Sequence, residues 1–558
     1  MKTLLCIFVF ALAGWMNSQA IEKPNIVLVM VDDMGWSNIG PYGGMVETPT
    51  LDRLARDGVR FDQFYNAARC CPTRATLMTG LHPHQVGVGH MSLPVRPIAN
   101  GDPKNPRSSF PLTSKDRAEI PYAYQGWMDV AIPTLPEMLK VAGYGTYMTG
   151  KWHLANERPE TWPLQRGFDR FYGHLAGTSD FFRPANLYRG NKPITAKGSR
   201  YYITDAISKE AIDFLSEHDK EKDDQPFFLY LAYNAPHFPV QCMPEDYEKY
   251  RGRFMEGWDV LRTKRLAKQK RMGLVPQNTK LTPRPKNIPA WNSLSKKKQN
   301  EMDAIMSTYA GMIDRVDQNI GKIVRHLEQT EELENTIIFF LSDNGGEAET
   351  GPLGQFQFKN LGIYGKGGNK YGKGWASLSN TPFREYKHFA HQGGIQTPLI
   401  VHWPKGIPRG NTNRILSQFG YLPDLVETCL EVARAKRPQK KNGKTVPVGD
   451  GISFVKALQG SKAPLHTNPI FIEHEGNRIA REGKWKLVSY ANKPWELFDM
   501  EADRSEINDL AAQRPSIVKH LNNAYAKWAK RVGVVDWKVA RNYSVYRAKK
   551  KKTPPKQK

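Results

Sequence analysis

Short apolar segments recur along the chain, each bounded by polar or turn-forming residues. The first comprises residues 26–31, and three more occupy residues 227–233, 336–341 and 397–403. They are unbroken and rich in β-branched or aromatic side chains, which is typical of strands buried on both faces of a parallel sheet. Between residues 302 and 327, apolar side chains recur every three or four positions, which predicts an amphipathic helix. The alternation of strands and helices predicts an α/β fold with a large, mostly parallel sheet flanked by helices.

A second, smaller domain is predicted after residues 434–444, which are basic and poor in large apolar side chains and indicate a linker or exposed loop. Strand-like segments and a helical pattern follow, around residues 469–473, 485–490, 495–498 and 517–528. We therefore predict a large α/β domain over residues 21–440 and a C-terminal α+β domain over residues 441–546. Residues 547–558 are rich in Lys and Pro and are predicted to form a basic disordered tail.

The N-terminus has the pattern of a secretory signal peptide. A lysine at position 2 precedes an apolar run over residues 4–13, and Ser18-Gln19-Ala20 supplies a small-x-small cleavage site. We expect residues 1–20 to be removed from an exported protein, either periplasmic or secreted. An N-terminal membrane anchor is the alternative, but the run is shorter than the roughly 20 apolar residues that a spanning helix needs. No membrane span is expected elsewhere.

Composition adds a strong charge signal to an otherwise ordinary globular chain. The 80 Lys and Arg residues outnumber the 55 Asp and Glu residues, and the formal net charge is +25. Such a chain attracts polyanions, whether nucleic acid, anionic lipid or sulfated glycan. With 5 cysteines in 558 residues, an exported protein is not a disulfide scaffold.

Polar side chains follow several predicted strands. Asp32 and Asp33 come after the first strand, His237 after the second, and Asp343 and Asn344 after the third. Ligands bind at the carboxyl ends of strands in such sheets, so these residues are expected at one rim. The carboxylate and amide oxygens of Asp32-Asp33 and Asp343-Asn344 suit a hard cation such as Ca²⁺, with Mg²⁺ as the alternative.

The densest motif is Cys70-Cys71-Pro72-Thr73-Arg74, followed by Leu77-Met78-Thr79-Gly80. It resembles the signature of the type I sulfatases of the alkaline phosphatase superfamily. Cys70 has Pro two positions and Arg four positions later, so it matches the family cysteine, whereas Cys71 is interpreted as a buried structural residue. The resemblance implies that Cys70 is oxidised to Cα-formylglycine by a formylglycine-generating enzyme.

Three further motifs resemble family positions. They are Gly150-Lys151-Trp152-His153, the turn Pro236-His237-Phe238-Pro239, and Lys387 placed five residues before Gln392-Gly393-Gly394. Gln392 and Gln396 depart from the commoner Glu and Arg of the family. His82, His84 and His90, which follow the signature, are expected to make structural hydrogen bonds.

The resemblance implies a mechanism of sulfate-ester hydrolysis at sulfur. The nucleophile is Cys70 as hydrated formylglycine, activated by Asp343 and the metal. Sulfate charge is neutralised by Arg74, Lys151 and Lys387. His237, alone or with Lys387, protonates the leaving oxygen, and His153 accepts the proton whose loss expels sulfate. The implied metal ligands are Asp32, Asp33, Asp343, Asn344 and residue Cys70 in its oxidised form.

The expected substrate is a sulfated polysaccharide fragment or an aryl sulfate, as in the bacterial arylsulfatase-like branch of the family. One alternative is a formylglycine-dependent phosphodiesterase or phosphonate hydrolase of the same superfamily. Another is a non-catalytic polyanion-binding protein. Nucleic acid is not an expected partner, because no nucleic-acid-binding module accompanies the positive charge.

Overall fold

The computed structural model describes residues 22–92, 120–154, 158–221, 225–355 and 369–540. The predicted signal peptide and the basic tail lie outside the described residues. Among the described helices, none combines the length and the apolar character needed to cross a membrane.

A large mixed sheet forms the centre of the structure, as the apolar segments predict. Its strands are β1 (Asn25–Val31), β2 (Val59–Tyr65), β3 (Gly145–Lys151), β4 (Arg170–His174), β5 (Leu187–Arg189), β6 (Lys192–Ile194), β7 (Phe227–Ala232), β8 (Thr336–Ser342), β9 (Gln396–His402), β10 (Arg414–Leu416) and β11 (Gly420–Tyr421). The strand order is β10-β2-β9-β8-β1-β7-β3-β4-β5-β6, and β11 also pairs with β2.

The centre of the sheet is parallel. β1 pairs in parallel with both β7 and β8, and β7 pairs in parallel with β3. β9 was expected among mostly parallel strands, and it runs antiparallel to both of its neighbours, β2 and β8. Its first residue therefore lies at the edge where the parallel strands end.

Helices cover both faces of the sheet, which explains why β1, β7 and β8 are mostly apolar. The described helices are α1 (Pro49–Arg56), α2 (Cys70–Thr79), α3 (Leu135–Val141), α4 (Ile203–Glu221), α5 (Pro244–Tyr250), α6 (Gly257–Arg271), α7 (Lys296–Gln329), α8 (Gly372–Ser379), α9 (Gln392–Ile395), α10 (Leu422–Ala433), α11 (Val455–Leu458), α12 (Pro515–Val532) and α13 (Trp537–Ala540). Alternate residues of β1 face opposite cores: Val27 and Val29 pack with α4 and α7, whereas Ile26 and Leu28 pack with α2 and α10.

The C-terminal region forms the expected smaller α+β unit. Its antiparallel sheet contains β14 (Ile470–His474), β15 (Asn477–Glu482), β16 (Trp485–Ser489) and β17 (Glu496–Asp499), and α12 packs on one face. A short hairpin of β12 (Lys440–Lys441) and β13 (Lys444–Thr445) occupies the basic segment that was expected to be a loop. Residues 454–458, which precede this smaller sheet in the sequence, pack in the hydrophobic core beside the large sheet.

Candidate active site

The predicted site residues converge on one edge of the large sheet. β1, β7 and β8 are parallel, so the residues after them meet at their carboxyl ends, where β3 also ends. β9 begins at this edge because it runs the opposite way, and it brings the segment with Lys387 there. The side chains gathered at this rim are Asp32, Asp33, Cys70, Arg74, Lys151, His153, His237, Asp343, Asn344 and Lys387.

One group of buried charges links three strands and α2. Lys151 Nζ donates to Asp32 Oδ2 at 2.5 Å, and Arg74 Nη2 donates to Asp343 Oδ2 at 2.9 Å. Arg74 Nη1 also donates to the carbonyl oxygen of Lys151 at 2.9 Å. Burial raises the pKa of Asp32, and burial together with the Asp32 carboxylate raises that of Asp343 well above its usual range. Two carboxylates so close favour a bound cation.

A second group is centred on Asp33. Lys387 Nζ lies 2.8 Å from Asp33 Oδ1, Asn344 Nδ2 donates to the same oxygen at 2.7 Å, and His237 Nε2 lies 3.3 Å from Asp33 Oδ2. Burial alone raises the pKa of Asp33, but the charges of His237 and Lys387 bring it below its ordinary value. Asp33 is thus held as a carboxylate.

The residues at this rim fit a hard divalent cation. Asp32 Oδ1 and Asn344 Oδ1 are buried, and neither accepts a hydrogen bond within the described part of the chain. A buried oxygen without a partner is costly, and a metal ion satisfies such atoms directly. With Asp33 and Asp343, these atoms form the oxygen-rich ligand set expected for Ca²⁺ or Mg²⁺.

Cys70 is the first residue of α2 and is fully buried. Arg74 lies one helical turn further along, on the same face, which explains the four-residue spacing of the motif. Thr73 anchors the helix: its Oγ1 donates to the carbonyl oxygen of Asp343 at 2.7 Å and accepts from the Ala67 N–H at 2.9 Å. A hydrogen bond from Cys71, with the positive charge of Lys151, lowers the pKa of the Cys70 thiol well below its ordinary value despite burial.

The Gly-Lys-Trp-His motif places Lys151 and His153. Gly150 has a φ of +110°, and a Cβ there would collide with the Ala232 carbonyl of the neighbouring strand, so glycine is required. His153 Nε2 lies 3.1 Å from Cys71 Sγ. Sequence reasoning interpreted Cys71 as structural and missed this contact, because only the tertiary structure brings residues 71 and 153 together.

His237 is oriented by its own backbone neighbour. Its Nδ1 donates to the carbonyl oxygen of Phe238 at 2.7 Å, which leaves Nε2 facing Asp33 and the rim. Burial lowers the pKa of His237 to about 4, although the Asp33 carboxylate acts in the opposite direction. A negatively charged ligand at the rim therefore favours protonation of this ring.

The two unusual glutamines contact each other. Gln392 Nε2 donates to Gln396 Oε1 at 2.6 Å, and Gln396 Nε2 donates to the carbonyl oxygen of Asp62 at 2.6 Å. Lys486 Nζ donates to Gln392 Oε1 at 2.8 Å. The departures from Glu and Arg are thus a matched pair of amides in place of opposite charges, and Lys387 keeps its contact with Asp33.

The three histidines after the signature make structural contacts. His82 Nε2 lies 3.0 Å from Asp450 Oδ2, His84 Nε2 lies 2.6 Å from Glu473 Oε2, and His90 stacks on Tyr124.

The sequence motifs also left out polar residues that border the rim. Tyr230 Oη lies 3.4 Å from Arg74 Nη1. Burial, reinforced by the Asp33 carboxylate, raises the pKa of Glu347 to about 7. Tyr230 lies inside an apolar strand and Glu347 in a loop, so neither carries a sequence signal of its own.

Comparisons with known proteins agree with this geometry. The family profile named Sulfatase matches residues 24–435, and the profile described as N-sulphoglucosamine sulphohydrolase, C-terminal, matches residues 384–530. The chain is 33% identical to an uncharacterised sulfatase of Schizosaccharomyces pombe, over 96% of this chain and 99% of that protein. It is 31% identical to the arylsulfatase of Klebsiella aerogenes, over 71% of this chain and 84% of the other.

More distant relatives extend the same picture. The N-acetylgalactosamine-6-sulfatase of Canis lupus familiaris is 29% identical, over 89% of this chain and 78% of its own length. The crystal structure of Ps i-CgsB superposes with a TM-score of 0.64 at 27% identity, covering 91% of this chain and 93% of that one. Together with the fold, these matches show that the chain belongs to the type I sulfatase family of the alkaline phosphatase superfamily and is a sulfuric ester hydrolase.

Proposed function

We propose that this sulfatase is exported and removes sulfate from fragments of sulfated polysaccharide, using formylglycine made from Cys70. The observation that carries the proposal is the position of Cys70, buried at the start of α2 beside His153 and the charges of Lys151 and Arg74. The oxygens of Asp32 and Asn344 that accept no hydrogen bond within the described part of the chain lie at the same rim. The proposed nucleophile, the cationic side chains and the proposed metal ligands thus lie together at this rim.

Formylglycine and a divalent cation would supply part of the chemistry. Formylglycine at position 70 would offer, as its hydrate, one hydroxyl to attack sulfur and a second whose deprotonation releases sulfate. A divalent cation held by Asp32, Asp33, Asp343 and Asn344 would polarise the sulfate oxygens.

The side chains of this protein complete the reaction. Lys151, Arg74 and Lys387 compensate the charge of the sulfate group. Asp343, which lies at the same rim and is paired with Arg74, accepts the proton of the attacking hydroxyl. Burial lowers the pKa of His153 to about 4, which keeps the ring neutral and able to accept the second hydroxyl's proton.

The departure of the ester oxygen requires a proton donor. His237 is the best placed group, because its Nε2 faces the rim while Nδ1 is held by the Phe238 carbonyl. The negative charge of the bound sulfate ester raises the pKa of this ring and favours its protonated form. The ring then donates this proton to the leaving oxygen.

Relatives support a sulfated carbohydrate as the substrate. Ps i-CgsB has been crystallised with k-i-k-neocarrahexaose, and several curated relatives are named N-acetylgalactosamine-6-sulfatase. The positive net charge of +25 suits a polyanionic glycan outside the cell. In this proposal a formylglycine-generating enzyme is the partner during maturation.

Mass spectrometry of the peptide that contains residue 70, from protein made in its native host, tests the proposal. We expect the aldehyde or its hydrate at position 70 and an unmodified thiol at Cys71. Cys70→Ala is expected to lower kcat for an aryl sulfate by on the order of 10⁵-fold, as loss of a covalent nucleophile does, with the circular dichroism spectrum unchanged. An unmodified Cys70 in active protein, or a Cys70→Ala variant with wild-type turnover, would contradict it.

A further inference from the structure

A polar cluster adjoins the sulfate-binding groups on the side of the α2 N-terminus. Arg69 directly precedes Cys70, and His388 directly follows Lys387. Arg69 Nη2 lies 2.5 Å from Glu349 Oε1, and Arg69 Nη1 lies 2.9 Å from His388 Nδ1. We call Arg69, Glu349 and His388 the Arg69 cluster.

The hydrogen bonds of the Arg69 cluster determine where its protons lie. An arginine only donates, so His388 Nδ1 must accept and the neutral ring carries its proton on Nε2. Burial and the positive charge of Arg69 lower the pKa of His388 to about 4, so the ring is neutral near pH 7. Glu349 balances the charge of Arg69. The Arg69 cluster is therefore close to neutral overall, in a region where Lys151 and Lys387 are cationic.

The same hydrogen bonds argue against a metal ion beside the Arg69 cluster. His388, His474 and Glu475 have ligand atoms within 4.8 Å of one another, a spacing that suits a cation. Arg69, however, already occupies the lone pair of His388 Nδ1 and brings its own positive charge to that point. Glu475 Oε2 lies 3.4 Å from His388 Nδ1, and both His474 and Glu475 are buried.

Two members of the Arg69 cluster are partly exposed. The side chains of Glu349 and His388 are 32% and 28% exposed, whereas that of Arg69 is 6% exposed. Glu349 Oε2 and His388 Nε2 make no hydrogen bond within the described part of the chain. The cluster thus presents one acceptor and one donor, both held in place by a buried guanidinium.

Glu349 and Lys387 also influence each other electrostatically. Burial lowers the pKa of Lys387, but the carboxylates of Asp33 and Glu349 raise it well above its ordinary value. Lys387 and Arg69 lower the pKa of Glu349 against the effect of desolvation. His388 directly follows Lys387 and Arg69 directly precedes Cys70, so the Arg69 cluster adjoins the position of a sulfate group held at the rim.

We propose that Glu349 and His388 bind hydroxyl groups of the sugar ring that carries the sulfate. Glu349 Oε2 accepts from one hydroxyl and His388 Nε2 donates to a neighbouring hydroxyl oxygen. The carboxylate repels a second sulfate or a uronate at that position, so the preferred substrate is a sugar sulfate with free hydroxyls beside the sulfated carbon. This inference rests on the proposed glycan substrate.

The test compares kcat/KM for three kinds of substrate. They are monosulfated hexoses with a free neighbouring hydroxyl, the same sugars with that hydroxyl methylated or sulfated, and 4-nitrophenyl sulfate as a reference without a sugar. For the wild type we expect the free hydroxyl compound to be preferred. The quantity compared is the ratio of kcat/KM for the sugar sulfate to kcat/KM for the aryl sulfate. In Glu349→Gln this ratio is expected to fall about 10- to 100-fold, because a charged hydrogen bond is lost.

A matched control is Glu427→Gln, which breaks another Glu–Arg pair, 2.7 Å to Arg437, away from the rim. We expect its ratio to equal that of the wild type. His388→Leu is a second variant and is expected to lower the same ratio, whereas His388→Gln, which keeps an N–H donor, restores part of it.

Two results would overturn the inference. One is an unchanged ratio in both Glu349→Gln and His388→Leu, and the other is equal hydrolysis of free and methylated sugars by the wild type. A third result has a different meaning. If the wild type hydrolyses the aryl sulfate but no sugar sulfate, the proposed glycan substrate is refuted, and the inference with it.

Discussion

Cys71 Sγ lies 3.1 Å from His153 Nε2 and 3.4 Å from Ser92 Oγ. Burial raises the pKa of the Cys71 thiol well above its ordinary value, so the group remains protonated. A thiol beside the ring that accepts a proton in the proposed mechanism restricts how that ring turns. We therefore expect Cys71, which the sequence indicates as a buried structural residue, also to position the ring of His153.

Cys71→Ala is expected to lower kcat for 4-nitrophenyl sulfate about 10-fold with little change in KM, because the ring of His153 loses a support that substrate binding does not use. Steady-state kinetics with the formylglycine content of each preparation measured check this. The control is Cys429→Ala, which removes the same atoms from a buried cysteine of α10. An equal loss of kcat in both variants would contradict a positioning role.

Gln392 and Gln396, the two departures from the family motif, hydrogen-bond to each other and so act as a pair. An isolated Glu at position 392 would add a buried negative charge beside Glu506, which already accepts from Lys486 at 2.6 Å. An isolated Arg at position 396 would bury an unpaired positive charge. The amide pair keeps the same connection between α9 and β9 without either charge.

At the scale of elements, the antiparallel direction of β9 has the largest consequence for the site. A parallel β9 would place its N-terminal end, and with it Lys387, at the opposite edge of the sheet. Because β9 is antiparallel to β8, the segment before it arrives at the rim where β1, β3, β7 and β8 end. The rim therefore combines strand ends with one strand beginning.

Asp450 is one of the residues that connect α12 with the large domain. Its carboxylate lies 3.0 Å from His82 Nε2 and also pairs with Arg531 of α12. Burial raises the pKa of Asp450, but the hydrogen bonds from His82 and Arg531 lower it to about 2. The folded-state pKa is below the ordinary value of about 3.9, so this carboxylate stabilises the fold above pH ~4 and stops doing so as the pH falls towards 2.

Asp450→Asn is expected to lower the free energy of unfolding by about 1 kcal/mol near pH 7, an amount that allows for solvent screening of a partly exposed group. The difference from the wild type should shrink as the pH falls from about 4 to about 2, because the unfolded chain is protonated at Asp450 near pH 4 and the folded carboxylate only near pH 2. Denaturant unfolding at several pH values measures it. Asp213→Asn, in an exposed pair with Lys209, is the control. A difference that stays constant with pH would contradict the assignment.

At the scale of the whole molecule, the excess positive charge is not concentrated at the rim. Lys151, Lys387 and Arg74 are each paired there with an aspartate. Most of the formal charge of +25 is therefore carried elsewhere. Charge spread over a surface acts at long range on a polyanionic substrate and is screened by salt.

We therefore expect the KM for a sulfated polymer to rise several-fold with ionic strength, since the Debye length falls from about 10 Å at 0.1 M to about 3 Å at 1 M salt. The KM for 4-nitrophenyl sulfate should change much less, because that small ester gains little from distant charges. Parallel assays over a salt series measure both. Equal salt dependence for the two substrates would show that the excess charge has no role in capturing the polymer.

The sequence by itself determined the fold class, the strands β1, β7, β8 and β9, and the family of this protein. Unbroken apolar segments identify such strands because both of their faces are buried. β3 is equally buried but was not predicted, because Thr146, Thr149 and Lys151 interrupt its apolar pattern. The motif around Cys70 identifies the family because Cys70, Pro72 and Arg74 match the signature of the type I sulfatases. The ten residues predicted for the site also follow from local motifs, and the structure places them at one rim.

Only the tertiary structure decided how these residues meet. The direction of β9, the contact of Cys71 with His153, the amide pair of Gln392 and Gln396, and the Arg69 cluster all join residues that are distant in sequence or leave no periodic pattern. β15 also escaped prediction, since its sequence Asn-Arg-Ile-Ala-Arg-Glu is mostly polar and gains its order from pairing with β14 and β16. Local patterns record burial and helical spacing, whereas contacts between distant segments depend on how the sheet and helices pack.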